Sequence, residues 1–328
     1  MHNKKSLATI FIFILLSCWV MYISLSADTR KLNNEVVAEA KMEEISEFDE
    51  VHYFRSTAKK PDFELTSQSL EIINQNLMKF IEPQGVLFQA DRSLKYSAKR
   101  GNMNQKKQFL TLSGDVSLKD KLSDYKSEKL TYDGQKKLMH ASGGINSEII
   151  DEKTRDIIKI SSEYMSSDLN SEIAVFTGDV KGQIQRRRRY EGGVKFQSEL
   201  MAFNSPKSQI SLDNYVEIRR NNYYLTAGRA EIFLENFNKK LKYYTLYDDV
   251  KLEERINLPS GKSQLRRAFA EKLEARQREG KVILTGAPRV EQGKDIIKGY
   301  QITLKENVEL VEVDDAKSSF SIKRKKDD

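Results

Sequence analysis

Thiols, imidazoles and catalytic signatures are almost missing from this chain. Its one cysteine, Cys18, lies inside an apolar N-terminal run. The remainder therefore forms no disulfide, no thiolate metal site and no cysteine nucleophile. The three histidines are His2, His52 and His140. His2 precedes the apolar run, His52 falls in a region without strand signals, and His140 reads as an ordinary sheet residue. No H-E-x-x-H pair, Walker loop or G-x-S-x-G elbow occurs, so zinc-protease, phosphate-loop and serine-hydrolase chemistry lack their residues. Carboxylates are plentiful but scattered over polar faces. A glycosidase-like acid pair is the one arrangement that spacing leaves open. The chain reads as a non-enzyme with no cofactor and no metal.

Charge narrows the partners only a little. The net charge is +7 over 328 residues, with 39% hydrophobic and 31% charged residues. That composition suits a thin antiparallel sheet with one buried face better than a thick α/β core. Two basic clusters, Arg186–Arg189 and Lys323–Lys326, read as a solvated loop and a solvated tail. No long basic surface is interleaved with aromatics, so nucleic acid is not an expected partner.

What is present begins with Lys4 and Lys5, followed by an uncharged run from Leu7 to Leu25. At about 1.5 Å per residue this run nearly spans a hydrocarbon core of about 30 Å. Basic residues before it and Asp28, Glu35, Glu39, Glu43 and Glu44 after it place the N-terminus in the cytoplasm and the bulk outside. Three fates are open. Ser24-Leu-Ser26 resembles a signal-peptide cleavage site. Leu15-Leu-Ser-Cys18 resembles a lipidation site, although the apolar run continues past Cys18. The length of the run favours the third fate, an uncleaved single-span anchor. All three put the body in an extracytoplasmic space.

The body carries a unit written five times: Ser127–Ile145, Ser162–Val180, Ser198–Val216, Ala230–Val250 and Ala270–Val290. Each is a strand, a polar turn, a second strand and a Gly/Asp-rich corner ending on Val or Ile. The corner also appears as Ser113-Gly-Asp-Val116. Glycine or Asx is expected there, where the chain needs positive φ to reverse direction. Such a chain is a stack of hairpins with one continuous apolar interior and free edges at its ends. Residues 61–83 are ambiguous between helix and strand. Residues 264–278 have helical propensity, but the register of the repeat predicts a strand from about Ala270. Ile297–Val313 reads as one more hairpin.

The last unit resembles a known family. Ala270-Glu-Lys-Leu273, then Gly280–Gly293 and Ile297–Leu304, is similar to the repeat of OstA/LptA-type lipopolysaccharide-transport domains. Ala275 departs from it by replacing an aromatic. The N-terminal run, the acidic segment and the following strands, about 1–200, resemble LptC. The resemblance implies an all-β fold, an elongated twisted open β-jellyroll of stacked antiparallel hairpins after one N-terminal transmembrane helix. It also implies a division into an anchor (1–27), a juxtamembrane linker (28–60), an LptC-like jellyroll (61–200), OstA/LptA-like repeats (201–316) and a disordered basic tail (317–328). One continuous jellyroll and two joined end to end, an LptC–LptA fusion, are both compatible with it.

By the same resemblance the chain is a periplasmic component of a lipopolysaccharide bridge, held in the inner membrane. It would receive lipopolysaccharide from an ABC transporter of the LptB, LptF and LptG type and pass it to an LptA-like protein by edge pairing of strands. The alternating apolar residues Leu110, Leu112, Val116, Leu130, Tyr132, Val175, Val180, Val216, Val282, Leu284 and Val290 are the candidates to line its groove. Plain core packing accounts for any one of them equally well. The alternative reading is an envelope scaffold or adaptor that binds other proteins without lipid.

Overall fold

The computed structural model describes residues 45–57, 60–73, 76–88, 93–187, 193–220, 223–234, 243–257, 261, 263–276, 279–305, 311–314 and 317–319. The apolar run, Cys18 and the basic stretch Lys323–Lys326 lie outside these residues. Among the described residues there is no helix. The strands are β1 (Ile45–Thr57), β2 (Lys60–Ile73), β3 (Leu77–Ile81), β4 (Gln84–Phe88), β5 (Ser93–Ser97), β6 (Arg100–Asn104), β7 (Phe109–Lys119) and β8 (Ser123–Asp133). Then come β9 (Leu138–Ile150), β10 (Ile157–Asp168), β11 (Ile173–Gln185), β12 (Val194–Asn204), β13 (Gln209–Arg220), β14 (Tyr223–Phe233), β15 (Tyr243–Asn257) and β16 (Ser263–Arg276). The chain ends with β17 (Lys281–Thr285), β18 (Arg289–Gln292), β19 (Asp295–Lys298), β20 (Gln301–Lys305), β21 (Val311–Asp314) and β22 (Lys317–Ser319).

Every ladder is antiparallel, and each strand from β7 to β16 pairs with the next. The short strands are halves of equally long rungs. β3 and β4 together cover β2, and β17 and β18 together cover β16. The result is one meandering sheet from β1 to β21 and β22.

Three sequence expectations change here. The linker expected over 28–60 includes a strand, because Ile45–Thr57 pairs along β2. The ambiguous segment 61–83 is strand, as β2 and β3. The tail expected from 317 begins with β22, which pairs with β19. Helical propensity over 264–278 is overridden: β16 is extended from Ser263, because β15 pairs with it from Asn257↔Ser263 to Tyr243↔Arg276.

The Gly/Asp corners do not reverse the chain. Five sit inside a strand and bend it, and Gly286-Ala287 sits between β17 and β18, the two halves of one rung. Gly114-Asp115, Gly143-Gly144, Gly178-Asp179, Asn214-Tyr215, Asp248-Asp249 and Gly286-Ala287 all have positive φ, between 43° and 86°. Two consecutive left-handed residues cannot continue a pleated strand, so the ladder slips. Ser113 pairs with Lys129 and Val116 with Ser127, leaving two residues opposite one. That is a β-bulge, and bulges bend the strand that carries them. Sequence reasoning read the sign of φ correctly and its consequence wrongly.

The bulges align across neighbouring strands and crease the whole sheet along one line. The crease stitches each unit to the preceding corner: Ser127 pairs with Val116, Ser162 with Ile145, Ser198 with Val180 and Ala270 with Val250. The fourth unit starts three residues earlier than its Ala-Glu spelling suggests, because Ala227 is the residue that pairs with Val216. At four of these positions a serine braces the bend. Ser67, Ser127, Ser162 and Ser198 each donate from Oγ to the carbonyl two residues on. Ser67 shows that the repeat extends upstream of the five units legible in sequence.

The crease divides the sheet into two arms. Arm A holds 109–113 and its neighbours in register, such as 200–204 and 281–285. Arm B holds 116–119 and its neighbours, such as 194–198 and 289–292. The turns at the tips of arm A follow one pattern, in which an Asx side chain caps the turn. Asn104 and Asn204 each accept from the backbone N–H three residues on, and Asp133 and Asp168 from the one two residues on. These bonds hold the Asp168 carboxyl below its ordinary range, chiefly the one from the Asn170 N–H and then the one from the Ser171 hydroxyl.

A lone sheet would leave both faces wet. Here one face is covered on both arms: Leu110 and Leu112 of arm A and Val116 and Leu118 of arm B are all buried in one cluster running from Phe63 to Leu304. Among the described residues the only layer available to cover each arm is the other arm. Close approach is visible at Gly182, where an added Cβ would stand 1.9 Å from the ring of Phe196 on the adjacent strand.

The covered face settles the facing of the sequence candidates. Leu110, Leu112, Val116, Leu130, Tyr132, Val180, Val216, Val282, Leu284 and Val290 point inward. Val175 does not. Its neighbours Ala174 and Phe176 are the buried pair on β11, and strict alternation places Val175 on the outer face.

Two predictions follow from the crease and the facing. Ala at Gly143 or Gly144 incurs the left-handed penalty, about 1–2 kcal/mol. Gly143→Ala also drives a Cβ to 2.5 Å from the Glu128 Cβ, whereas Gly144→Ala meets no atom within 4 Å. Denaturant titration of the purified protein should show the larger loss at Gly143; equal losses would mean the crease is not packed as described. Val175→Lys should change stability by no more than about 0.5 kcal/mol, as an outer-face substitution. Phe176→Lys should abolish the cooperative transition by burying an unpaired charge; the reverse order would invert the assigned face.

Candidate functional site

Among the described residues the interior between the arms is one continuous apolar cluster. It is lined by alternate residues of every strand from β2 to β20. At the crease the arms are joined by their own strands. At the opposite rim the tips meet along a seam that no backbone ladder crosses among the described residues. Two side-chain-to-backbone hydrogen bonds cross it. Lys153, in the arm B turn after β9, donates from Nζ to Pro206 O in the arm A turn after β12, at 2.9 Å. Arg266 of arm B donates to Lys305 O of arm A, at 3.0 Å.

Close to the seam the inner face of arm B turns from apolar to charged. Arg186 and Asp156 form a buried pair at 2.8 Å, and the Arg187 N–H donates to the other oxygen of Asp156 at 3.0 Å. Arg186 is therefore an inward structural cation, not part of a solvated loop as the run Arg186–Arg189 suggested. Its neighbours Arg188 and Arg189 lie outside the described residues. Further along, Arg266 Nε donates to Glu254 at 3.0 Å, with both side chains fully enclosed. Sequence reasoning missed both pairs. The signal was there: inward parity, counted from the crease, falls on Asp156, Arg186, Glu254 and Arg266.

Other features hold no comparable chemistry. His52 lies on β1, 3.1 Å from Glu64, with both groups exposed. His140 is an exposed residue of β9, facing Thr131 and Ser166 across its ladders. Among the described residues no group of His, Cys, Asp and Glu could hold a metal ion. Tyr96 is raised well above the ordinary phenol range, first by burial and then by nearby Glu64, and its hydroxyl donates to Glu64 O at 3.0 Å. It packs beside Gly85 and serves the core. On the outer face of arm B a shallow hollow of about 720 Å³ is rimmed by Lys119, Lys126, Lys159, Lys181 and Lys195. Lys119 and Lys159 pair there with Asp124 and Glu148, both at 3.3 Å.

Two family models match this chain. Residues 10–185 match the model of the lipopolysaccharide-assembly, LptC-related family. Residues 196–309 match the model of the LptA/LptD N-terminal domain of lipopolysaccharide transport proteins. Among solved structures, LptH of Pseudomonas aeruginosa, an LptA-homologous periplasmic component of the lipopolysaccharide transport device, is similar at 12% identity and a TM-score of 0.36. The match covers 40% of this chain and 97% of LptH. No curated protein matches. With a segment of more than half its length matched, the chain belongs to the LptC-related lipopolysaccharide-assembly family and carries an LptA-type module in tandem.

Proposed function

We propose that this chain is an inner-membrane-anchored periplasmic segment of the lipopolysaccharide bridge, in which both modules form a single conduit. One observation carries the reading. β11 ends the LptC-related match and β12 begins the LptA-type match, and the two pair from Ile173↔Asn204 to Ile184↔Val194. The modules therefore share one sheet and one interior. In a bridge of separate proteins, such a junction would be strand pairing between molecules. Here it is covalent.

The apolar run Leu7–Leu25 supplies the anchor. Nineteen residues lie between Leu25 and Ile45, so β1 lies within about 70 Å of the membrane. This end receives lipopolysaccharide from an ABC transporter of the LptB, LptF and LptG type. The far end, β21 and β22, passes it to an LptA-like partner by edge pairing. β1 presents Ile45, Phe48 and Phe54 as exposed apolar side chains on the outermost described rung, which suits a strand that is covered in an assembly.

Acyl chains occupy the apolar interior and the carbohydrate stays outside the seam. The interior is filled by its own side chains, so the arms must part for a chain to enter. The seam permits this because, among the described residues, side-chain contacts hold it and no ladder does. Energy comes from the transporter, and the chain catalyses nothing.

Photocrosslinkers at Leu112, Val180 and Leu284 sample the interior of both modules. In proteoliposomes with the transporter, crosslinks to lipopolysaccharide should form at all three positions and increase with ATP. Crosslinks at Leu112 alone would sink the single-conduit reading. Crosslinks only to protein would favour the scaffold.

A further inference from the structure

The hollow of about 720 Å³ on the outer face of arm B crosses β8 to β12, over the joint between the two modules. Toward the seam it ends at the arm B turn 120–123. Six lysines and three carboxylates line it. Lys119 is paired with Asp124 and Lys159 with Glu148. Lys181 is paired with Asp179, which is not itself in the lining. Asp120 is occupied by its own turn, where it accepts from the N–H groups of Leu122 and Ser123. Among the described residues Lys121, Lys126 and Lys195 are left without an ion pair or a hydrogen bond. With Asp179 included, cations still exceed carboxylates by two.

Neighbouring strands do not relieve the free lysines. Lys126 stands between Ser117 and Asn146 on its two ladders. Lys195 stands between Gln183 and Arg219. Like charges directly opposed destabilise a ladder, so Lys195 opposite Arg219 is a cost that a bound anion lowers. Glu217, two residues along β13, is held by Arg219 at 3.4 Å. The floor between the lysines is neutral and polar, made by Asn146, Ser161 and Gln183. No lining residue is aromatic. Protein partners are anchored chiefly by buried aromatic and Arg hot spots. Amides, a hydroxyl and ammonium groups in a concave floor suit a ligand rich in hydroxyls and anions instead.

We infer that this hollow is the subsite for the anionic carbohydrate head of the transported lipid, an acidic oligosaccharide whose charged groups meet Lys126 and Lys195. The inference rests on the conduit reading above, which leaves the carbohydrate outside the seam. A head that leaves the seam over the 120–123 turn meets Lys126 three residues along β8 from Ser123, about 10 Å. Lys195 follows Val194, the first residue of β12. The two lysines are four strand spacings apart, about 19 Å. No single phosphate bridges them, so the site selects an extended head with at least two separated anionic groups. Such a head lies across β11 and β12 together, and is held where one module gives way to the next.

The test uses the water-soluble, fully deacylated head of lipopolysaccharide, titrated into the full chain in detergent micelles. Without acyl chains it reports on the hollow and not on the interior. The wild type should bind it at least about fivefold more tightly than a neutral glucan oligosaccharide of similar length, the worth of two exposed ion pairs together. High salt should shrink that preference. Lys126→Gln with Lys195→Gln should abolish it, and as outer-face substitutions the two leave the fold intact. The paired variant should still give lipopolysaccharide crosslinks at Leu112, because the interior is unchanged. Equal binding of the two oligosaccharides by the wild type, or an undiminished preference in the variant, would overturn the subsite and leave the conduit standing. A photocrosslinker at Ser161 that captures only protein would overturn it too, in favour of an acidic protein partner. A wild type without lipopolysaccharide crosslinks at Leu112 removes both readings.

Discussion

The structure depends on one constraint: a single sheet has an apolar face and nothing else to cover it. No helix and no second sheet is present among the described residues. An α/β protein buries a sheet under helices, and a sandwich buries it under another sheet. This chain buries it under itself, and pairs of left-handed residues at one level make that geometry. Asp, Asn and Gly are the residues that tolerate this conformation at least cost. The repeated Gly-Asp, Gly-Gly and Asp-Asp corners are therefore the crease of the fold. Without them the rungs would remain straight and the interior would face water.

The crease also explains why the two rims differ. Along it the arms are covalently continuous, and serine hydroxyls brace it. Along the seam the arms meet through side chains. Opening the crease would break strands, whereas opening the seam breaks packing and a few polar contacts such as Arg266 to Lys305 O. Buried charge is concentrated on the weaker rim. Asp156–Arg186 and Glu254–Arg266 both stand there. An ion pair in that position tolerates a change of partner better than apolar packing tolerates a gap, because each guanidinium can exchange one acceptor for another.

Much of this was legible in the sequence, for identifiable reasons. Alternation about the corners gave the strands and placed residues such as Leu110, Leu112, Val282 and Leu284 on one face. The repeat corrected the helical propensity of 270–276. The direction of the bend was not legible. A Gly-Asp pair signals positive φ, and positive φ serves both hairpin turns and bulges. What distinguishes them is the distance to the true turn, marked by Asn104, Asp133, Asp168 and Asn204 at the tips of arm A. Val175 was assigned to the wrong face because a slip of one residue inverts a strand, and Phe176, the larger neighbour, is the one that fills the core. β1 was missed because an acidic strand at the end of a stack pairs on one side only and needs no apolar alternation.

The covalent junction between β11 and β12 has a consequence for the assembly. In a stack each rung contacts only its neighbours, and stability accumulates rung by rung. A junction between separate proteins is one such contact, subject to dissociation and to the entropy cost of association. Fusing the modules removes that cost at one joint and leaves it at the others. Among the described residues only the two outermost rungs, β1 and β21 with β22, then remain as edges for strand addition. The serine brace at Ser198 and its pairing with Val180 carry the crease across the joint without interruption. Such an interior has no protein boundary between the LptC-related module and the LptA-type module that follows. The buried Glu254–Arg266 pair lies beyond that joint, in the second module.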